Sequence, residues 1–167
     1  QGGQFSYPFQ YGHALVGEVI AIGNRDDRRW LGQRVFAFHP HQAEAVIDKS
    51  LCYLLPEGLP ADRALFLANM ETALNLVMDA VPLAGERGMV FGQGVVGLLA
   101  TAVLSRFPLE ELITAEPVAG RREHSRKLAS LAIDPARGRE LAVLEECLFQ
   151  EGQNGLDFAI EVSGQIE

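Results

Sequence analysis

Apolar and polar positions follow three successive rhythms along this chain. From Ala14 to Leu55 apolar residues come in short runs between polar turns, the rhythm of strands. Ala14–Ile22 predicts a strand in which Gly17 marks a bulge or a close backbone approach. Gly23 to Arg29 reads as a polar turn, and Gly32-Gln33-Arg34 as a turn into a strand at Val35–Phe38. Gln42–Ile47 and Leu51–Leu55 predict further strands around Asp48-Lys49. Pro56-Glu57-Gly58-Leu59-Pro60 then stops pairing and marks a boundary. Between Ala61 and Ala80, Ala64, Leu65, Ala68, Ala73, Leu76 and Val77 recur at helical spacing, with Asp62 in the first turn, where the helix dipole favours an anion.

From Arg87 onward strands and helices alternate. The pattern predicts a strand at Arg87–Phe91, a helix at Val95–Phe107 and a strand at Leu112–Ala115. A basic amphipathic helix is expected over Arg121–Ala132, with Leu128, Leu131 and Ala132 toward the sheet, broken by Pro135 and Gly138. A helix at Arg139–Gln150, a turn at Glu151–Gly155 and a strand at Asp157–Val162 complete the pattern. Four strands with intervening helices make half to two-thirds of a doubly wound sheet. Ligands of such sheets sit beyond the carboxyl ends of the strands, where Gly92–Gly94, Glu116 and Val162–Gly164 fall.

The segment Val90-Phe91-Gly92-Gln93-Gly94-Val95-Val96-Gly97 carries the most specific chemistry. Strand, glycine turn, helix, strand and acid follow in the order of a dinucleotide-binding βαβ unit. Gly92 permits the tight turn, Gly94 removes a side chain where backbone must approach a pyrophosphate, and Gly97 lets the helix lie close on the sheet. Free N–H groups at the helix N-terminus face the phosphates. Glu116 ends the second strand, where a carboxylate accepts both ribose hydroxyls of NAD. It repels a 2′-phosphate by about 4 kcal/mol per unit charge at 4 Å and an effective dielectric near 20. NAD is therefore favoured over NADP, although Arg121 and Arg122 nearby are the residue type that NADP sites use.

Composition narrows the partners. A chain that is 48% apolar and 22% charged can build a core, and its formal charge of −8 argues against a nucleic-acid surface. The clusters Arg25/Arg28/Arg29 and Arg121/Arg122/Arg126/Lys127 are interrupted by Asp26, Asp27 and Glu123 and read as solvated surface. Two cysteines, Cys52 and Cys147, imply neither a disulfide framework nor a cysteine zinc site. No apolar run reaches membrane length and no basic-then-apolar leader is visible, which makes cytoplasmic the default expectation. The absent initiator Met, and a strand pattern ending five residues before the terminus, suggest a piece of a longer chain.

Together these segments resemble the medium-chain dehydrogenase/reductase family, in its zinc-type alcohol-dehydrogenase-like branch. Gly12-His13-Ala14-Leu15-Val16-Gly17-Glu18-Val19 is similar to the family's GHExxGxV segment, Gly32-Gln33-Arg34-Val35 to its G-D-R-V turn, and Leu55-Pro56-Glu57-Gly58-Leu59 to its L-P-x-x-L entry to a bridging helix. Thr72 corresponds to a threonine near the nicotinamide, and Glu161-Val162-Ser163-Gly164 resembles the E-x-x-G strand end that borders the cofactor. The resemblance implies an α/β fold: a partial GroES-like β domain over residues 1–60, then the bridging helix and a partial Rossmann domain over 61–167. It implies a cofactor site at Thr72, Gly92, Gln93, Gly94, Val95, Val96, Gly97, Glu116, Arg121, Val162 and Ser163, and a homodimer for the full-length protein.

The departures concern zinc. A catalytic zinc of this family takes a Cys upstream of residue 1, the His of GHE, and a Cys or acid on the bridging helix. His13 fills the second position and lines the expected cleft. Ala14 replaces the Glu, the third position falls near Ala68, and Glu71 lies three residues on, about 300° further round a helix. The four-cysteine lobe is replaced by Phe38-His39-Pro40-His41-Gln42, whose two histidines read as loop groups rather than metal ligands. No metal site is assigned, and His13 is left as the one plausible zinc ligand in view. The expected function is an NAD(P)-dependent oxidoreductase moving a hydride between nicotinamide and an alcohol or carbonyl substrate. A non-catalytic cofactor-binding protein of dehydrogenase ancestry is the alternative. A methyltransferase is disfavoured because Val96 stands where its turn needs a last glycine and Met89-Val90-Phe91 carries no acid.

Overall fold

The computed structural model describes residues 11–149 and 155–164. They fall into two units, divided between Ala68 and Asn69.

The first unit holds a three-stranded antiparallel sheet, β1 (Leu15–Glu18), β2 (Arg34–Ala37) and β3 (Cys52–Leu54), in the order β1-β2-β3. Phe36 on the central strand is fully buried and touches the rings of Phe38 and Tyr53. Two expectations are corrected here. Gly17 makes no bulge: it pairs with Val35 in unbroken register, and a Cβ on it would meet only Leu15 of its own strand at 3.6 Å. The expected polar turn is a 3-10 turn over residues 25–30, which the Asn24 side chain caps by accepting from the Asp26 N–H. Gln42–Ile47 is not a strand; Val46 is fully exposed, so its apolar side chains have no face to cover.

The helix expected over Ala61–Ala80 is two helices, α1 (Ala61–Ala64) and α2 (Leu67–Ala80). At the break the Phe66 N–H bonds the Arg63 carbonyl, tightening the turn to i→i−3. α2 ends at Val81, which has φ +48, the left-handed conformation usually left to glycine.

The second unit is a parallel sheet of β4 (Arg87–Phe91), β5 (Glu111–Ala115), β6 (Leu131–Ile133) and β7 (Phe158–Glu161), in the order β6-β5-β4-β7. Period-two alternation covers it on both faces. Val90, Leu112 and Ile160 pack with Ala73 and Val77 of α2 and with Ala100 and Leu104 of α3 (Val95–Leu104). Met89, Ile113, Ala115 and Ile133 pack on the other face with Leu148 of α5 (Gly138–Leu148). The chain steps outward from β4 to β5 to β6, then crosses back to place β7 on the other side of β4. The carboxyl ends of β4 and β7 thus flank the topological switch point.

One helix is corrected. The basic helix expected over Arg121–Ala132 is α4 (Ala119–Ser125), and Leu131 and Ala132 belong to β6. Leu131, Ala132 and Ile133 pair with Ile113, Thr114 and Ala115, so sheet hydrogen bonding overrides a helical spacing that the same residues also satisfy. The helix expected over Arg139–Gln150 is α5, which ends at Leu148 with Phe149 already outside it; Gln150 and most of the Glu151–Gly155 turn lie outside the described residues. No helix among the described residues is long and apolar enough to cross a membrane.

Candidate functional site

The glycine turn is built by two close approaches and one opening. Gly92 has φ +84, and a Cβ there would lie 2.5 Å from the Cα of Ser163. A Cβ on Gly97 would lie 1.9 Å from the Gly92 carbonyl oxygen. These two glycines let turn, helix and the β7 end touch backbone to backbone. Gly94 is different. It starts α3 with φ −70, and a Cβ on it would meet nothing within 4 Å. Its lack of a side chain serves no packing need, and it offers no side chain to cap the helix N–H groups.

Gln93 is fully buried and turned away from this opening. Its Nε2 donates to the Gly92 carbonyl (3.2 Å) and its Oε1 accepts from the Thr101 hydroxyl (3.1 Å), strapping the turn to the next-but-one turn of α3. The Gln93 side chain is an internal strut within the proposed cofactor turn, and Thr101 is the partner that no motif indicated.

Glu116 is 2% exposed and joins two elements. Its Oε2 accepts from the Gln93 N–H (2.7 Å) and its Oε1 from the Val118 N–H (2.8 Å). One carboxylate thus ties the glycine turn to the loop that follows β5. Two backbone donors fix its direction and leave lone pairs on both oxygens for further donors.

Arg121 and Arg122 point to different tasks. Arg121 is exposed and borders the cleft. Arg122 is buried, its Nη1 donating to the carbonyls of Glu116 (2.5 Å) and Pro117 (3.0 Å) and its Nη2 lying 3.4 Å from Asp134 Oδ2. The surface helix read from the sequence therefore hides a buried arginine.

A cleft of about 310 Å³ opens at the switch point. Gly92, Gly94, Glu116, Arg121, Val162 and Ser163 line it together with Phe91, Ala115, Pro117, Val118, Pro135 and Glu161. Six of the residues singled out in the sequence are thus brought together. Val95, Val96 and Gly97 stand behind it in the first turn of α3, and Thr72 is exposed on α2, outside the lining. Pro117, Val118 and Pro135 were missed because loops after β5 and β6 carry no periodic signal.

In the first unit His13 is exposed, and the His41 ring occupies the space that a side chain on Gly12 would need. His39 shares a hydrogen bond with the Gln42 side chain (3.0 Å). Among the described residues no three His, Cys, Asp or Glu side chains converge as a metal site, so they do not fit the zinc that the family resemblance would imply.

No protein-family model matches the chain. It is 27% identical over 184 residues to (R,R)-butanediol dehydrogenase of Bacillus subtilis, covering 94% of this chain and 52% of that protein. It is 31% identical over 121 residues to D-xylulose reductase A of Aspergillus oryzae, covering 71% of this chain and 34% of the relative. The chain is thus similar to dehydrogenases and reductases of the kind that its resemblance to the zinc-type, alcohol-dehydrogenase-like medium-chain dehydrogenases/reductases implies. It spans about half the length of the butanediol dehydrogenase and a third of the xylulose reductase.

Among solved structures, an Escherichia coli alcohol dehydrogenase complexed with NADH superposes with a TM-score of 0.72 at 18% identity, over 90% of this chain and 52% of that one. A zinc-binding dehydrogenase of Sinorhizobium meliloti bound to NADP gives 0.74 at 19%, over 96% and 56%. The fold is the expected one, a partial GroES-like β domain followed by a partial Rossmann domain.

Proposed function

We propose that this chain carries the nucleotide-binding site of an NAD(P)-dependent oxidoreductase that moves a hydride between an alcohol and the corresponding carbonyl compound. One observation carries the reading: Gly94 has no neighbour within 4 Å of a would-be Cβ, yet sits at the helix N-terminus inside the strand-end cleft. A glycine that neither packing nor backbone conformation requires is explained by a ligand backbone passing there, and the N-terminal N–H groups make that ligand anionic.

In this reading Gly92, Gly94 and the opening turn of α3 hold a pyrophosphate, and Val162 and Ser163 border the other side of the switch point. Glu116 accepts the ribose hydroxyls, which favours NAD over NADP, with Arg121 at the rim. When bound, the nicotinamide ring accepts or donates the hydride; the protein's part is to orient it and exclude water. Gln93, Gly97, Val95 and Val96 act by holding the turn and helix, and Thr72 contributes from α2. The relatives' names point to small hydroxylated substrates, a butanediol and a pentulose. No step is assigned to zinc or to His13. The intact protein is proposed to be a cytoplasmic homodimer.

The test uses the full-length protein. Titration with NADH should give saturable one-to-one binding, and a panel of diols and polyols with NAD should yield reduced nicotinamide. Absence of both NADH and NADPH binding by a folded protein would overturn the reading; binding without turnover of any alcohol or carbonyl would restrict it to a cofactor-binding protein.

A further inference from the structure

The wall of the cleft between the ends of β5 and β6 contains a buried ion pair for which the proposed reading gives no task. Arg122 is 5% exposed and Asp134 is 7% exposed. Arg122 holds the main-chain carbonyls of Glu116 and Pro117, and its Nη2 reaches Asp134 Oδ2 at 3.4 Å. Asp134 immediately precedes Pro135, a lining residue, and its other oxygen accepts from the Ala136 N–H at 3.1 Å. The Asp134 N–H in turn donates to Glu140 (2.5 Å). A single guanidinium therefore joins the loop carrying Glu116 to the loop carrying Pro135.

Stability does not explain this arrangement well. A buried ion pair is often no better for stability than a well-packed apolar pair of the same size. Arg122 also leaves its Nε without a hydrogen-bond partner. What a planar, forked donor does supply is fixed geometry between the groups it joins.

We propose that Arg122, paired with Asp134, is a positioning residue for coenzyme selectivity. It sets the gap between Glu116 and Pro135 that receives the adenosine half of a dinucleotide, and thereby the choice at the ribose 2′ position. This rests on reading the cleft as a dinucleotide site. Glu116 discriminates only while its carboxylate stays at the diol: shifted away, it accepts the hydroxyls less well and repels a 2′-phosphate less, since Coulomb repulsion falls with distance. Arg121, exposed on the same rim, would then meet the phosphate.

Arg122→Met removes the fork while Asp134 keeps Arg137, whose Nε lies 3.3 Å away, so no buried charge is left alone. Asp134→Asn keeps an acceptor for the Ala136 N–H and serves as the second variant if the first does not fold. Affinities of full-length wild type and both variants for NADH, NADPH and AMP are measured by titration, beside thermal melts. The wild type should prefer NADH. In the folded variants the NADH-to-NADPH affinity ratio should fall about tenfold, with AMP binding weakened in parallel. An unchanged ratio, or equal weakening of NADH and NADPH, would show that the pair only holds the fold and would overturn the inference. A folded wild type that binds neither dinucleotide would instead overturn the reading of the cleft, and one that prefers NADPH the reading of Glu116; either takes this inference with it.

Discussion

Gly97 lies directly on the Gly92 carbonyl: a Cβ added to Gly97 would be 1.9 Å from that oxygen. Gly94, between them in sequence, faces open space. The three glycines of one motif therefore answer to different demands, two to packing and one to whatever enters the cleft.

That contrast separates stability from binding. Gly97→Ala should destabilise the protein by about 2–3 kcal/mol, because helix and turn must move apart. Gly94→Val should leave the melting temperature within a few degrees of wild type, since φ −70 suits any residue, while NADH affinity is lost. Paired melting and titration curves check both. Equal NADH affinity in wild type and Gly94→Val would remove the pyrophosphate from this turn.

Glu116 is both a proposed ribose acceptor and the acceptor for two backbone N–H groups. Glu116→Ser should shift the cofactor preference toward NADP, with a loss of roughly 1–3 kcal/mol of stability per N–H left without an acceptor. Glu116→Gln, which keeps one amide oxygen, should lose less. Chemical denaturation beside NADH and NADPH titrations separates the two roles. Full stability in Glu116→Ser would contradict the bridging geometry.

Val81 carries its side chain at φ +48 at the end of α2. Left-handed backbone costs a residue with a side chain about 1–2 kcal/mol, and glycine escapes most of that. Val81→Gly should raise the melting temperature. A lower one would mean that the valine side chain, 65% exposed, contributes packing that its exposure does not suggest.

Metal content is a further check. His13, His39 and His41 do not converge with an acid or thiol among the described residues. Purified, tag-free 167-residue chain should hold well under one equivalent of zinc by elemental analysis. A tightly held equivalent would show that His13 or the His39/His41 loop takes part in a site.

What the sequence determined by itself is the βαβ unit. Periodicity placed β4 at its observed bounds and β5 within one residue, because a strand buried on both faces reads as an unbroken apolar run. Glycine spacing and the acid after the second strand located the switch point, since only glycines satisfy a left-handed turn and a backbone contact together. Tertiary structure decided the rest. Leu131 and Ala132 fit a helix face as well as a strand, and pairing with β5 settled them as strand. Gln42–Ile47 alternates like a strand but has no neighbour to pair with. Arg122 looks like any surface arginine until the ends of β5 and β6 close around it, and the strut formed by the Gln93 side chain is invisible until Thr101 is found beneath it. Periodicity records which face of an element prefers to be buried. Which partner waits on that face is set by residues distant in sequence, and the pattern of one segment carries no record of them.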